Sequence, residues 1–288
     1  MASAWMLLAG ALFALMGLCV KLGAEHFSQT ELVFYRSFIG LLVLLPLLAR
    51  PRALLTLHWR GHLLRGVSGG TALWLYFYAI AHLPLATAVS LNYTSPLFLA
   101  ALGLRHLRET ATPRLWLALL LGFVGVLVLL QPVLRPENAL SAAAGLLSGF
   151  LASLAYVNVR RLGQQGEPEW RVVFYFSCVC SAAFGVLALQ EGLAPVGTEQ
   201  WPLLLGLGLS ATLAQLAMTR AYGQGRTLVA ASLSYSTLVF SAALSAWQLG
   251  EHPPPLAIAG MALIVLAGVL SMTARPAVAE PNPSQEPA

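Results

Sequence analysis

Cutting this chain at glycine, proline and charge clusters leaves ten apolar runs, each near the roughly 20 residues that an α-helix needs to cross about 30 Å of hydrocarbon. The runs predict helical spans over 3–22, 29–49, 62–82, 84–104, 114–131, 139–161, 170–190, 201–222, 226–248 and 255–274. Several starts carry proline in or just before the first turn (Pro84, Pro113, Pro202 and Pro253 to Pro255). There the missing N–H has no intrahelical partner to lose. The expected fold is an all-α integral membrane protein of ten transmembrane helices.

The runs also repeat. Ser90 to Phe98, SLNYTSPLF, returns at Ser232 to Phe240 as SLSYSTLVF, and at the same offset Leu107, Glu109 and Pro113 match Leu249, Glu251 and Pro255. Leu22-Gly23 matches Leu162-Gly163, and Val33-Phe34-Tyr35-x-Ser37 matches Val173-Phe174-Tyr175-x-Ser177. Self-similarity of this kind marks a duplicated unit. The expected organisation is a first five-helix repeat over 1–131, a second over 132–274, and a disordered polar tail over 275–288. Because five is odd, the halves take opposite orientations, an inverted repeat of the kind that builds transporters.

Composition strengthens the membrane reading. The chain of 288 residues is 58% hydrophobic and 9% charged, and its mean hydropathy is +0.75. Average globular proteins carry about 25% charged residues. The opening MASAWMLLAGALFALMGLCV lacks the basic region and small-residue cleavage site of a signal peptide and is expected to be the first span. Basic residues are scattered over connectors rather than gathered on one face, which argues against nucleic acid. With the first residue inside, the cytoplasmic segments hold thirteen arginines, Arg65 among them, and the outer connectors hold Lys21 and Arg135. That asymmetry predicts both termini in the cytoplasm of a bacterial inner-membrane protein. Cys19, Cys178 and Cys180 fall within apolar runs as small hydrophobes, with no metal site, disulfide or cofactor implied.

Candidate chemistry is sparse. Arg36 sits about 9 Å into the second span at 1.5 Å per residue. A charge there either faces a wet cavity, the default functional reading, or snorkels to the interface. Trp74 and Tyr78 lie one turn apart on the third span, and Ser90, Tyr93 and Thr94 share a face of the fourth. Gln215, Thr219 and Tyr222 form a polar stripe on the eighth, and Ser232, Tyr235 and Ser236 on the ninth. Together Arg36, Trp74, Tyr78, Tyr93, Gln215, Tyr222 and Tyr235 are the expected substrate-binding set. The alternative is that these groups only bond across helices or anchor at the interface, as expected of Trp5, Trp59, Trp170 and Trp201. Pro96 is the expected kink or gate, and with Asn92 it predicts that the fourth helix bends more than the ninth. Gly66/Gly70 and Gly145/Gly149 are expected to serve helix packing, and Glu109 and Glu251 to complement helix starts.

Absences narrow the mechanism. Lys21, the only lysine, follows no Gly-rich loop, so no ATP hydrolysis and no ATPase partner is implied. The chain has no aspartate, and its deepest glutamate is Glu31 at the edge of the second span. Proton exchange for organic cations at one acidic site therefore has nothing to run on, and Arg36 favours a solute with an anionic group. His58, His62 and His82 lack the acidic cluster that a membrane-embedded enzyme acting on a lipid or isoprenoid needs. A non-transporting scaffold or sensor remains the other alternative. Ten helices suffice to enclose a cavity within one chain, which allows a functional monomer.

The pattern resembles the drug/metabolite transporter superfamily, in its ten-helix EamA-type members. The resemblance rests on the duplicated unit, on ELVFYRSFIGLLVLLP at 31–46, on LPLATAVSLNYTSPLF at 83–98, and on the Leu-x-Glu turns at 107–109 and 249–251. GFVGVLVLL at 122–130 and AGMALIVLAGVL at 259–270 resemble the family's fifth and tenth helices. It implies a secondary carrier with a central cavity opened alternately to either side of the membrane. The Phe-Tyr-Arg-Ser run looks most like members that carry amino-acid-like or S-adenosylmethionine-like metabolites. The first-helix glutamate of small multidrug relatives has no counterpart here. A carrier of small zwitterionic or anionic metabolites across the lipid bilayer is therefore expected.

Overall fold

The computed structural model describes residues 2–46, 54–96, 98, 99, 102, 112–130, 138–248, 250 and 255–273. No strand occurs among them. After a 3-10 turn at Ala2–Ala4 come α1 (Trp5–Gly23), α2 (Gln29–Leu44), α3 (Trp59–His82), α4 (Leu85–Asn92) and α5 (Pro113–Leu130). Then follow α6 (Ala139–Gln164), α7 (Glu169–Glu191), α8 (Trp201–Gln224), α9 (Thr227–Ser234), α10 (Ser236–Gln248) and α11 (Pro255–Thr273). Five stretches, Ala2–Gly23, Ala139–Gln164, Glu169–Glu191, Trp201–Gln224 and Thr227–Gln248, are long and apolar enough to cross a membrane. Two shorter apolar stretches lie at Trp116–Gly125 and Ile258–Ala267. Glu109, Glu251 and the tail over 275–288 lie outside the described residues.

Most helices begin and end within three residues of the expected spans. The fourth and ninth spans differ, because both are interrupted at the matched tyrosine. After Asn92, Tyr93 and Thr94 form a turn before the helix resumes at Ser95, and Tyr235 alone separates α9 from α10. Pro96, just past the first break, has no N–H to donate to the Asn92 carbonyl. Leu238 occupies the matched position in the second copy, so proline does not cause that break. There the Leu238 N–H closes a tight turn onto the Tyr235 carbonyl at 3.0 Å.

The helices pack in pairs: α1 along α8, α3 along α6, α2 against α7 and α5 against α11. Glycine permits the closest approaches. A Cβ on Gly163 would stand 2.5 Å from the Cα of Gly223, and one on Gly149 would stand 2.8 Å from the Asn92 carbonyl oxygen. Gly66 meets Val179, Gly70 meets Cys180 and Phe184, and Gly145 meets Leu91, so both small-residue pairs lie at helix contacts.

Polar groups tie the helix ends. Ser28 and Glu31 form a capping box at the start of α2, and Glu31 also accepts from the Ala194 N–H at 2.7 Å. Lys21, on α1, donates to the Ile80 and Leu83 carbonyls at 3.1 and 2.9 Å, closing the end of α3. Arg160, on α6, donates to the carbonyls of Tyr222, Gly223 and Gly225 at 3.3, 2.9 and 3.0 Å, closing the end of α8. Cations at helix C-termini satisfy orphan carbonyls and oppose the negative end of the dipole.

Another tie joins the start of α3 to the α6–α7 turn. Gly166, at φ 81°, takes the left-handed conformation that lets the Glu167 N–H bond back to the Leu162 carbonyl at 3.0 Å. Glu167 then accepts from Thr56 and from Arg171 at 2.8 Å, with His62 Nε2 at 3.4 Å. Burial would raise the Glu167 carboxyl, but Thr56, Arg171 and His62 outweigh it and hold it below the usual carboxylate range.

Candidate functional site

A cavity of about 60 Å³ opens between residues from both halves of the chain. Its walls are aromatic: Phe13 from α1, Tyr76 from α3, Tyr93 from the first break, Tyr156 from α6 and Phe176 from α7. Three polar side chains, Arg65, Asn92 and Gln215, reach it, and Gly69, Ala72, Ala152 and Ala155 provide the space. An apolar chamber with a few convergent polar groups is the ordinary form of a small-molecule site.

Arg65 is the cation of this chamber. It lies on α3 one turn past His62, is 3% exposed, and donates from Nη2 to Gln215 Oε1 at 3.0 Å. Its Cζ stands 4.1 Å from the centre of the Phe176 ring. Gly69, one turn further along α3, makes this placement feasible, because a Cβ there would meet Arg65 Nη1 at 1.9 Å. Gly69 thus leaves room for the guanidinium, Phe176 supplies a face, and Gln215 an acceptor.

The residues expected from the sequence divide. Tyr93 and Gln215 line the cavity. Tyr93 also donates its phenolic hydrogen to Thr237 Oγ1 at 2.9 Å, joining the two breaks. Arg36 is buried beside the wall, with Cζ 5.3 Å from the Phe176 ring centre, but is not among the lining residues. Tyr222 stacks at 4.9 Å on Tyr156, one ring back from the chamber. Tyr235 is fully buried against Gly122, and its hydroxyl has no partner among the described residues. Pro96 is buried just past the first break. Trp74 and Tyr78 lie elsewhere: Trp74 donates to Thr30 at 3.1 Å, Thr30 donates to Glu191, and Tyr78 stacks on Trp74 and His82.

Sequence reasoning missed Arg65, Asn92, Tyr76, Tyr156, Phe13 and Phe176. Arg65 carried a readable signal: six residues into α3, it is as deep as Arg36 is in its own span, with a glycine four residues on. Treating it as a connector charge hid it, and the structure places it inside the bundle.

Comparison with known proteins gives the family. The model of the EamA-like transporter family matches residues 1–131 and again 139–273. A pseudopaline exporter of Pseudomonas aeruginosa is 33% identical over 261 residues, covering 90% of this chain and 92% of its own length. A riboflavin transporter of Vibrio cholerae is 29% identical over 270 residues, covering 91% of this chain and 90% of its own. A solved crystal structure 21% identical in sequence shares the fold with a TM-score of 0.77, covering 93% of this chain and 96% of that one. The chain therefore belongs to the EamA-like transporter family, as a multi-pass membrane protein.

Proposed function

We propose that the chain is a secondary carrier of small zwitterionic or anionic organic metabolites, working by alternating access in a bacterial inner membrane. The observation that carries this reading is Arg65, a buried guanidinium set among aromatic rings with no carboxylate partner among the described residues. Such a chamber stacks on an organic body and holds its acidic group. The names of the relatives, for pseudopaline and for riboflavin, agree with an organic metabolite as cargo.

The carrier is built as ten spans in two inverted repeats, 1–131 and 132–274, with both termini cytoplasmic. Three features support this arrangement. Exchanging the halves turns the α1·α8 pairing into α6·α3, leaves α2·α7 and α5·α11 unchanged, and so reproduces the main contacts. The carbonyls held by Lys21, on Ile80 and Leu83, match those held by Arg160, on Tyr222 and Gly225, at the offset that pairs Tyr93 with Tyr235. The fourth and ninth spans break at that same tyrosine. Discontinuous helices beside a central site are a recurrent transporter device.

In this reading Arg65 holds the acidic group, Gln215 orients Arg65, and Tyr93 contacts the solute. Arg36, Tyr222 and Tyr235 form the layer behind, while Trp74 and Tyr78 line the approach and Pro96 fixes the first break. Flux of amino acids and nucleoside-like compounds into liposomes tests it. Flux above protein-free liposomes that falls at least tenfold in Arg65→Ala is expected. Unchanged flux in that variant would sink the assignment, and no flux for any compound would favour an enzyme or scaffold.

A further inference from the structure

Two guanidiniums share one ring inside the bundle. Arg36 on α2 and Arg65 on α3 are each 3% exposed, and both lie over Phe176, at 5.3 and 4.1 Å from its centre. Neither has an acidic partner among the described residues. The nearby helices' glutamates are engaged at the bundle ends: Glu31 with Ser28 and Ala194, Glu167 with Thr56 and Arg171, and Glu191 with Ser28 and Thr30. The Nε atoms of both arginines are buried without a hydrogen-bond partner. The chain contains no aspartate that could serve instead.

An aromatic face attracts a cation but supplies no counter-charge, and a buried charge needs one. Arg65 opens into the cavity, and Arg36 abuts the wall residue Phe176. A monoanion seated on Arg65 leaves the second guanidinium uncompensated beside the same ring, 5.3 Å from its centre, in surroundings that screen charge poorly. A solute with two negative charges answers both at once. Resting on the anion reading above, we propose that the cavity selects organic solutes carrying two negative charges, with Arg65 binding one acidic group directly and Arg36 compensating the second across Phe176. The two charges are supplied either by two carboxylates or by one phosphate monoester.

The test uses the full chain reconstituted in liposomes, with radiolabelled succinate, its monoamide succinamate, and glycerol 3-phosphate as probes. Succinate and succinamate differ by one charge at nearly constant size. Wild-type protein is expected to carry a dianionic probe at least tenfold faster than succinamate. Succinate ahead of glycerol 3-phosphate marks two carboxylates, and the reverse order marks a phosphate monoester. Arg36→Gln should bring the dianion-to-succinamate ratio near one, and Arg36→Lys, which retains the charge, should keep the ratio. Arg65→Gln should lose all three fluxes, with melting temperatures confirming that each variant is folded. Wild-type rates for both succinate and glycerol 3-phosphate no higher than for succinamate, or an Arg36→Gln variant that slows dianion and succinamate alike, would overturn the two-charge inference while leaving the anion reading intact. No flux of any probe above protein-free liposomes would remove the anion reading with it.

Discussion

Tyr93 donates to Thr237 at 2.9 Å across the two helix breaks, while Tyr235, its counterpart in the second half, keeps a buried hydroxyl without a partner among the described residues. Ser95 stands where Thr237 stands in the other copy. If the halves exchange conformations to open the opposite side, the bond passes from Tyr93–Thr237 to Tyr235–Ser95. A hydrogen bond of this kind contributes about 1 kcal/mol net, or about fivefold in an equilibrium. Tyr93→Phe should shift the protein about fivefold away from the conformation described here, and Tyr235→Phe about fivefold toward it. Cysteine labelling from each side of the membrane reads the shift, and the same direction in both variants would refute the exchange.

Glycine substitutions should separate site from scaffold. At Gly69 the added methyl meets the far end of Arg65 at 1.9 Å and the edge of the Phe176 ring at 3.1 Å, both side chains rather than backbone, so Gly69→Ala should fold but expel the guanidinium from its place. Its flux should fall at least as far as in Arg65→Ala, with little change in melting temperature. At Gly149 the methyl meets the Asn92 and Leu91 carbonyls at 2.8 and 3.1 Å, which are backbone and yield less. Gly149→Ala should cost about 1–3 kcal/mol in stability, as overpacking usually does.

Glu167 gives the fold a pH dependence. Its carboxyl titrates below its ordinary value because Thr56, Arg171 and His62 outweigh the effect of burial. A depressed carboxylate stabilises the folded state above its unfolded pKa, and that contribution is lost as pH falls through the folded pKa. The melting temperature should therefore drop as pH goes from about 6 to below about 4. Glu167→Gln should already melt lower at neutral pH, by about 1–3 kcal/mol for a buried acceptor lost, and should show a flatter acid limb. Parallel acid limbs in the two proteins would refute this account.

Removing the cap on α8 should loosen that helix end without touching the cavity. Arg160→Met leaves the Tyr222, Gly223 and Gly225 carbonyls without that donor. A cost of about 1 kcal/mol is expected. Hydrogen exchange should quicken over the last turn of α8 and leave the amides around Arg65 unchanged.

The all-helical, apolar character and the family were legible because length and apolar character are local properties of a run. The cavity was less so. Tyr76, Tyr156 and Phe176 belong to none of the polar stripes, so the sequence does not show which way they point. Tyr93 and Gln215 stood out as polar groups in mid-span, and both reach the chamber. Trp74 looked equally placed, yet Thr30 and Glu191 draw it to the bundle end. Arg65 was counted with the cytoplasmic connector charges, which hid its place inside the bundle. The break at Tyr235 had no proline to announce it.

Lys21 is the only lysine of the chain, and its ammonium is held by two carbonyls at the end of α3. An amine engaged in this way is a poor nucleophile while the contact lasts. Acylating reagents added to the folded protein will therefore modify Lys21 slowly, and a rise in its labelling rate during turnover will report that the ends of α1 and α3 have parted.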